Sequence, residues 1–315
     1  MKIPHTCPAV WPAPIAPSRF ASLVSTGSPE GCSVAILGLA DDLGVKLNGG
    51  RPGAKNGPRA FREALARYGV ADPHGWEWPK VFDAGDIVPA EGDGEASLHE
   101  THRRVTEATG ALLDLGLFPV GIGGGHDLTF PFVRAVSRRS GGTLEGVYYD
   151  AHLDVRETIG SGMGFRKLVE ECKVQVLTVH GLSPLSNSRE HVKWFLQHGG
   201  TIARSTPVAA EFKPASAGGR VFVSFDLDVL DGSAAPGVSA VNPSGVQPGF
   251  FFTHVFMAGK SEAVACFDLM ELNPAFDVDG RTARVAAYFF LTFLRGFSQR
   301  AGQHWNPEKA GWAWP

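Results

Sequence analysis

The chain has 315 residues, of which 29 are Lys or Arg and 32 are Asp or Glu, so its formal net charge is −3. This near balance gives no electrostatic basis for binding nucleic acid or an anionic membrane. Hydrophobic residues make up 43% of the chain, and a chain of this length can bury a substantial core. We therefore expect a globular protein with neither a nucleic acid nor a membrane as its partner.

The N-terminal segment, residues 1–20, is rich in proline and lacks the basic and then apolar pattern of a signal peptide. We interpret residues 1 to about 25 as a surface arm in front of a single domain, within the span 1–315. The apolar stretch Val285–Leu294 is too short to cross a bilayer and predicts a buried helix. The four cysteines are far apart and form no C-x-x-C pair, which predicts reduced thiols in a cytoplasmic protein.

Short apolar runs alternate with segments of helical periodicity along the chain. This alternation predicts an α/β protein with a mainly parallel sheet of about eight strands, covered by helices on both faces. The predicted strands are Ser33–Leu39, Lys80–Asp83, Phe118–Gly123, Val147–Tyr149, Val174–Val179, Thr201–Ala203, Arg220–Phe225 and Ala263–Phe267. The predicted helices are one beginning at Pro58, then Glu95–Leu115, Asp127–Arg139, Ser188–His198 and Arg281–Arg295.

A glycine-rich loop, Asn48–Gly57, separates the first strand from the helix that begins at Pro58. It matches neither G-x-x-x-x-G-K-[ST] nor a G-x-G-x-x-G between strand and helix. We therefore expect a structural role or a place at the rim of an active site, and not nucleotide binding. On the long helix that follows, His99 and His102 are predicted to be exposed and without function.

Three side chains able to bind a metal follow the strand Val147–Tyr149 at a spacing of two residues. They are Asp150, His152 and Asp154. In an extended backbone alternate residues point the same way, so these side chains are expected to converge. Alone, the pattern would also fit a capped strand end with a surface histidine.

Two further strand ends carry the same kinds of side chain. His126 follows the run Gly123–Gly125, whose glycines allow a sharp turn and leave space beside an imidazole. Asp226 and Asp228 follow the strand Arg220–Phe225. In parallel sheets, ligands bind beyond the carboxyl ends of the strands, where His180 and Glu271 are also expected. Three strand ends with four aspartates and two histidines predict a binuclear metal site.

The donor set favours manganese over a thiolate zinc site, although iron, cobalt or zinc would also fit. Two such ions lower the pKa of a water so that it attacks as hydroxide near neutral pH. Asp154 is the carboxylate best placed to orient that water and pass its proton toward the leaving group. Glu271 could pair with a cationic group of the substrate, or else be a solvated loop acid.

At this point the residues match a known family. The segments Gly123–Asp127, Asp150–Asp154 and Ser224–Asp228 resemble the ureohydrolase superfamily of arginases, agmatinases and formimidoylglutamases. The resemblance extends to Gly50–Arg59 and Asp268–Pro274, and so covers most of the chain. It implies a three-layer αβα sandwich with two Mn²⁺ ions, in a trimer or hexamer.

The resemblance also implies two ligand sets. One ion would be held by His126, Asp150, Asp154 and Asp226, and the other by Asp150, His152, Asp226 and Asp228. Asp150 and Asp226 would then bridge both ions.

Arginases and agmatinases carry a histidine where this chain has Phe165, within the segment Ser161–Arg166. The segment therefore looks more like that of formimidoylglutamases, whose substrate is the linear amidine N-formimidoyl-L-glutamate. A substrate with two carboxylates suits guanidinium partners, because the guanidinium fork binds a carboxylate through two hydrogen bonds. Arg156 and Arg166, together with Asn187 and Glu271, are the predicted substrate-binding residues.

Two alternatives stay open. One is an agmatinase- or arginase-like hydrolase that uses the same metals on a guanidino compound and releases urea. The other is a non-catalytic, metal-binding relative. The two arginines could also form structural salt bridges instead of binding substrate.

Overall fold

The computed structural model of the chain describes residues 2–69, 77–141, 143–203 and 212–300. Within these residues, ten strands join in a single sheet. The strands are β1 (Thr6–Cys7), β2 (Val24–Ser25), β3 (Val34–Leu39), β4 (Val81–Ile87), β5 (Phe118–Gly123), β6 (Leu144–Tyr149), β7 (Leu177–His180), β8 (Gly200–Ile202), β9 (Arg220–Asp226) and β10 (Val264–Met270).

The strand order is β1-β4-β3-β5-β10-β9-β6-β7-β8, and β2 pairs with the start of β4. The pairing of β1 with β4 is antiparallel, and the other pairings are parallel. The predicted mainly parallel sheet is confirmed, and each of the eight predicted strands has a counterpart. The two additional strands, β1 and β2, are two-residue segments too short to produce an apolar run.

Eight α-helices lie among the described residues. They are α1 (Leu43–Leu47), α2 (Gly57–Leu65), α3 (Glu95–Asp114), α4 (Thr129–Ser137), α5 (Gly164–Cys172), α6 (Arg189–Gln197), α7 (Phe252–Lys260) and α8 (Arg281–Phe297). None of them is long and apolar enough to cross a bilayer. The predicted buried helix over Val285–Leu294 is confirmed as part of α8.

The sheet separates two hydrophobic clusters, as the side chains of β3 show. Val34 and Ile36 pack in one cluster with residues of α2, α7 and α8, such as Phe61 and Phe290. Ala35, Leu37 and Leu39 pack in the other, with residues of α3, α4 and α5 such as Phe132 and Leu168. Alternate residues of a strand point to opposite faces, so helices cover both faces in three layers.

Two of the differences from the predicted elements have local reasons. Residues 174–176 were predicted as strand because apolar and polar residues alternate there. Instead, the N–H of Val174 donates to the carbonyl of Leu168 in α5, so the chain joins the sheet only at Leu177. Helix α5 was missed because its first turn follows the glycines of Ser161–Gly164, a pattern that favours a loop.

The N-terminal arm was predicted to lie at the surface, but parts of it join the sheet and the core. It adds β1 to the sheet edge, and Phe20 is fully buried against Trp78 and Phe290. The indole Nε1 of Trp11 donates to Asp83 Oδ2 at 2.9 Å. The arm is therefore anchored to β4. That residues 1–315 form one domain stays a prediction.

Asp83 also anchors a buried arginine. Arg62 of α2 has no exposed side-chain surface, and its guanidinium donates to both oxygens of Asp83, at 2.7 and 2.9 Å. Its remaining Nη1 donates to Asp86 at 2.6 Å. A buried ion pair is costly to break, because removing one partner leaves the other charge desolvated and unpaired.

We expect Arg62→Ala to lower the free energy of unfolding by about 3–5 kcal/mol, since it leaves the buried Asp83 and the partly buried Asp86 without their cation. Arg59 on the same helix pairs with Glu63 at the surface, so Arg59→Ala should cost at most about 1 kcal/mol. Urea unfolding of the three proteins measures both. Equal losses in the two variants would contradict the role of the buried network.

Candidate metal centre

The four central strands of the sheet, β5, β10, β9 and β6, end side by side at one edge. The chain leaves these strands near His126, Glu271, Asp226 and Asp150 respectively. Parallel strands that pair in register bring residues distant in sequence to one edge. The predicted convergence of the three strand ends is therefore present in the structure.

The first group of candidate ligands surrounds the ring of His126. Its Nδ1 lies 3.1 Å from Asp150 Oδ2, 3.0 Å from Asp154 Oδ2 and 3.1 Å from Asp226 Oδ2. These four residues are the predicted ligands of one ion, and they form one potential metal-binding group.

The second group consists of Asp150, His152 and Asp228. His152 Nδ1 lies 3.0 Å from Asp228 Oδ2 and 3.4 Å from Asp150 Oδ1. Asp150 thus offers one oxygen to each group, as predicted for a bridging ligand. Asp226 belongs to the first group alone, and its other oxygen accepts the N–H of Asp228 at 2.7 Å. Three of the four residues predicted for the second ion come together.

The pKa shifts of these residues indicate a site that favours bound positive charge. Burial, together with Asp228 and Asp150, raises the pKa of Asp226 well above its ordinary value, and burial with Asp150 raises the pKa of Asp228 to about 6. Burial alone would lower the pKa of His152, but Asp150 and Asp228 raise it to about 12. Carboxylates packed this closely must be neutralised by protons or by cations.

The donor atoms also suit metal ions. Asp150 Oδ2, Asp228 Oδ1 and His126 Nδ1 are buried and make no hydrogen bond to any described residue. Donors about 3 Å apart have the spacing of neighbouring ligands around an octahedral ion held at about 2.1 Å. Carboxylate and imidazole donors without thiolates match manganese-type ions, and the four cysteines are free thiols outside both groups.

The backbone adopts unusual conformations at two of the site residues. Asp154 has φ 49° and Glu271 has φ 64°, both in the left-handed region that non-glycine residues seldom occupy. The carbonyl of Asp154 accepts the N–H of Phe165, and the N–H of Glu271 donates to the carbonyl of Gly124. A strained backbone conformation persists only where surrounding contacts hold it. These hydrogen bonds provide such contacts and keep both side chains directed toward the pocket.

The glycine run before His126 allows its backbone to approach closely the backbone that follows β3. A Cβ at Gly124 would lie 2.2 Å from the carbonyl oxygen of Asp41 and 2.3 Å from that of Leu39. The run therefore packs against the chain that leaves β3. The space predicted beside the imidazole is filled instead by the buried ring of Phe165, 5.2 Å from that of His126.

A chain of hydrogen bonds lies behind His126. Its Nε2 is 3.0 Å from Ser224 Oγ, which donates to Asp268 Oδ1 at 2.6 Å. The other oxygen of Asp268 accepts from Thr129 at 3.0 Å. A metal-binding histidine is oriented by the partner of its second ring nitrogen. The sequence motifs include Ser224 and Asp268, but spacing alone gave no reason to assign them this role.

Glu271 is buried beside the first group. Its Oε1 accepts the N–H of His126 at 2.9 Å, and burial raises its pKa to about 8. It also lines the pocket in front of the metal groups. The position agrees with a contact to substrate, the role predicted for it, and not with a solvated loop acid.

The pocket in front of the metal groups has a volume of about 140 Å³. The glycine loop reaches its rim through Asn48 and Gly50, as predicted. Other residues of the lining are Arg156, Ser186, Asn187, His191 and Ser239. Sequence reasoning passed over His191, because nothing local marks a histidine in the first turn of a helix as part of a site.

The two predicted arginines have different positions. Arg156 lines the pocket, and its Nη1 donates to Asn48 Oδ1 at 2.8 Å. Arg166 is outside the lining: it pairs with Glu170 at 2.8 Å in α5 and lies over the ring of Trp194. The structure therefore does not bring Arg166 to the site. Its partner is one helical turn away.

Asn187 lines the pocket, but its amide is used to hold the backbone. Its Oδ1 accepts the N–H of Leu153, and its Nδ2 donates to the carbonyls of Ala151 and Ser183. It thus fixes the loop that carries His152 and Asp154. This geometry favours positioning of that loop over the predicted contact with substrate.

The prediction that His102 is exposed is wrong, whereas His99 is exposed as expected. His102 lies on the inner face of α3, and its Nε2 is 2.7 Å from the buried Asp127 Oδ2. The expectation failed because the partner comes from a distant part of the chain. His180, also predicted beyond a strand end, is the last residue of β7 and stacks on Tyr149, outside both metal groups.

The sheet and its acidic edge define an α/β protein with a candidate binuclear metal centre. Residues 32–295 match the family model for the arginase family. A formimidoylglutamase of Nocardia farcinica is 36% identical over 288 residues, which cover 85% of this chain and 89% of that protein. One of Aeromonas salmonicida is 32% identical over 276 residues, covering 81% and 84%.

The same relationship is found among solved structures. The crystal structure of Trypanosoma cruzi formiminoglutamase with Mn²⁺ superposes with a TM-score of 0.78 and is 33% identical, covering 90% of this chain and 99% of that one. The chain therefore belongs to the arginase family. The resemblance inferred from the motifs is confirmed.

We expect Ser224→Ala to weaken Mn²⁺ binding by about 10- to 100-fold, because His126 loses the partner that orients its ring. Titration with Mn²⁺, followed by electron paramagnetic resonance of the free ion, measures the affinity. Ser137→Ala is the matched control, since that hydroxyl bonds to the carbonyl of Cys172 away from the site. Unchanged affinity in Ser224→Ala would contradict the proposed orientation of His126.

Proposed function

We propose that the chain binds two Mn²⁺ ions through the two groups that share Asp150. The observation that carries this proposal is the convergence of four buried or nearly buried carboxylates and two imidazoles in two groups that share Asp150. The chemistry such ions supply when bound is to lower the pKa of a water that they hold. His126, Asp150, Asp154 and Asp226 would hold one ion, and Asp150, His152 and Asp228 the other.

We further propose that the reaction is hydrolysis of N-formimidoyl-L-glutamate to L-glutamate and formamide. The name of the curated relatives supports this activity, and so does the pocket. Water adds to the formimidoyl carbon, and the bond from that carbon to the glutamate nitrogen breaks. The nitrogen leaves with a proton, so the products are formamide and the amine of glutamate.

Asp154 is the residue proposed to move the proton. It lies in the pocket, and burial together with Asp150 raises its pKa. A carboxylate with a raised pKa can accept a proton from the attacking water and return it to the leaving nitrogen. Glu271, which faces the same pocket, is proposed to pair with the cationic amidine.

Arg156 is proposed to bind a carboxylate of the substrate. Its guanidinium lies at the pocket rim and is oriented by Asn48. Phe165 occupies the position where arginases and agmatinases carry a histidine, and it is fully buried in a stack with Tyr148. It offers no group for proton transfer, which supports an amidine over a guanidine substrate. A homo-oligomer and a cytoplasmic location stay predictions.

Metal analysis tests the first proposal. We expect Asp150→Ala to lose both ions and all turnover, because one oxygen of Asp150 belongs to each group. His126→Ala and His152→Ala each remove a donor from one group and should weaken one ion more than the other. Manganese content by atomic absorption after dialysis reports the result. Two ions retained by Asp150→Ala would refute the shared-ligand assignment.

A product assay tests the second proposal. The parent enzyme with Mn²⁺ should release formamide from N-formimidoyl-L-glutamate faster than it releases urea from agmatine or arginine. The two arginines provide a matched pair of variants. Arg156→Ala should lower kcat/KM for the dicarboxylate by about 10- to 100-fold, since it removes a charge-assisted hydrogen bond of about 1.5–3 kcal/mol.

Arg166→Ala should change kcat/KM by less than about threefold, because Arg166 lies outside the pocket and its ion pair is near the surface. Manganese content should be equal in both variants. If urea is the faster product, the substrate assignment is wrong although the metal centre survives. If Arg166→Ala is the more damaging change, the assignment of Arg156 is wrong.

A further inference from the structure

The proposed substrate has two carboxylates, but the pocket provides one guanidinium. Among the described residues of the lining, Arg156 is the one arginine, and the lining includes no lysine. Arg166 is held elsewhere by Glu170. A second carboxylate that enters the pocket therefore needs another hydrogen-bond donor, because an unpaired charge in a partly enclosed site is unfavourable.

His191 is a free donor in this pocket. It is the third residue of α6, and its ring is half-buried in the lining. Its backbone N–H is already bonded to the hydroxyl of Ser188, which caps the helix. Its ring nitrogens make no hydrogen bond or ion pair to a residue in the described part of the chain, so they are available to a ligand.

We infer that His191 is a specificity-determining residue that binds the side-chain carboxylate of N-formimidoyl-L-glutamate. The inference rests on the proposed function. An imidazole can donate a hydrogen bond to a carboxylate from a ring nitrogen that carries a proton. Its place in the first turn of α6 adds to the attraction, since the positive end of the helix dipole lies there.

The chemistry of the substrate decides which carboxylate each residue binds. The α-carboxylate is attached to the carbon that carries the reacting nitrogen, so it must stay close to the metal groups. Arg156 follows Asp154 by two residues on the loop that supplies three candidate ligands. The side-chain carboxylate lies further along the substrate. His191 is on α6, which carries no member of either metal group.

The start of α6 is held in a fixed relation to the metal-binding loop. Asn187, four residues before His191, bonds to the backbone of Leu153 and Ala151. The N–H of Ser183 also donates to the carbonyl of Ala151. His191 is therefore presented to the pocket by a braced segment, as a specificity contact requires.

Two substrates that differ by the side-chain carboxylate test the inference. The parent enzyme and His191→Ala are compared on N-formimidoyl-L-glutamate and on N-formimidoyl-L-alanine, which retains the α-carboxylate. We expect His191→Ala to lower kcat/KM for the glutamate derivative by about 10- to 100-fold, mainly through KM. For the alanine derivative the change should be less than about threefold. His191→Gln, which keeps a donor, should recover part of the loss.

The controls separate binding from folding and from metal loss. Manganese content and thermal midpoint should match the parent, and Lys193→Ala, an exposed residue of α6 outside the lining, should behave as the parent on both substrates. If His191→Ala impairs both substrates equally, the inference is overturned while the proposed function stands. If the parent releases no formamide from the glutamate derivative, the proposed function fails and the inference falls with it.

Discussion

The repulsion among four carboxylates at one sheet edge is the constraint on which the rest of the site depends. Asp150, Asp154, Asp226 and Asp228 are buried or nearly so. Burial and the neighbouring carboxylates raise the pKa of Asp154, Asp226 and Asp228, whereas His126 and His152 lower the pKa of Asp150 against the effect of burial. His126 and His152 relieve the repulsion only in part. Four ionised carboxylates in this arrangement need added positive charge, which is the physical reason that the edge is a candidate metal site.

The sheet supplies the rigidity that such a site needs. In the parallel pairing of β9 with β10, Asp226 is opposite Met270, so the strand that ends in Asp226 is aligned with the one that leads to Glu271. Loops brace the same edge from outside: Arg51 donates to the carbonyls of Val238 and Ser239, and Asn273 donates to the carbonyl of Arg51. Strained residues such as Glu271 persist because these contacts fix the neighbouring backbone.

The features that could be predicted from the sequence are those that depend on residues close together in the chain. Buried strands appear as apolar runs, and the two-residue spacing of Asp150, His152 and Asp154 is a local property, so both were accessible. His102 was misjudged because its partner Asp127 lies 25 residues away. The position of Arg166 outside the pocket lining was missed for a different reason. Its partner Glu170 is one turn away, but α5 itself went unrecognised behind a run of glycines. His191 carries no local signal, since only the folded chain places it in the pocket.

The pocket consists of a floor of candidate metal-binding residues and a rim of loop and helix residues, and the two differ in how tightly the fold holds them. The metal groups lie just beyond strand ends, where hydrogen-bonded neighbours leave little freedom, whereas Asn48, Arg156 and His191 lie on loops and at a helix start. A substitution at the rim can therefore change which molecule fits the pocket without moving a candidate metal ligand. Asn187 is the exception: it lines the pocket and also fixes Leu153, between His152 and Asp154. A change there would disturb the pocket lining and also the loop that carries His152 and Asp154, because the Asn187 amide holds the backbone of Leu153 and Ala151.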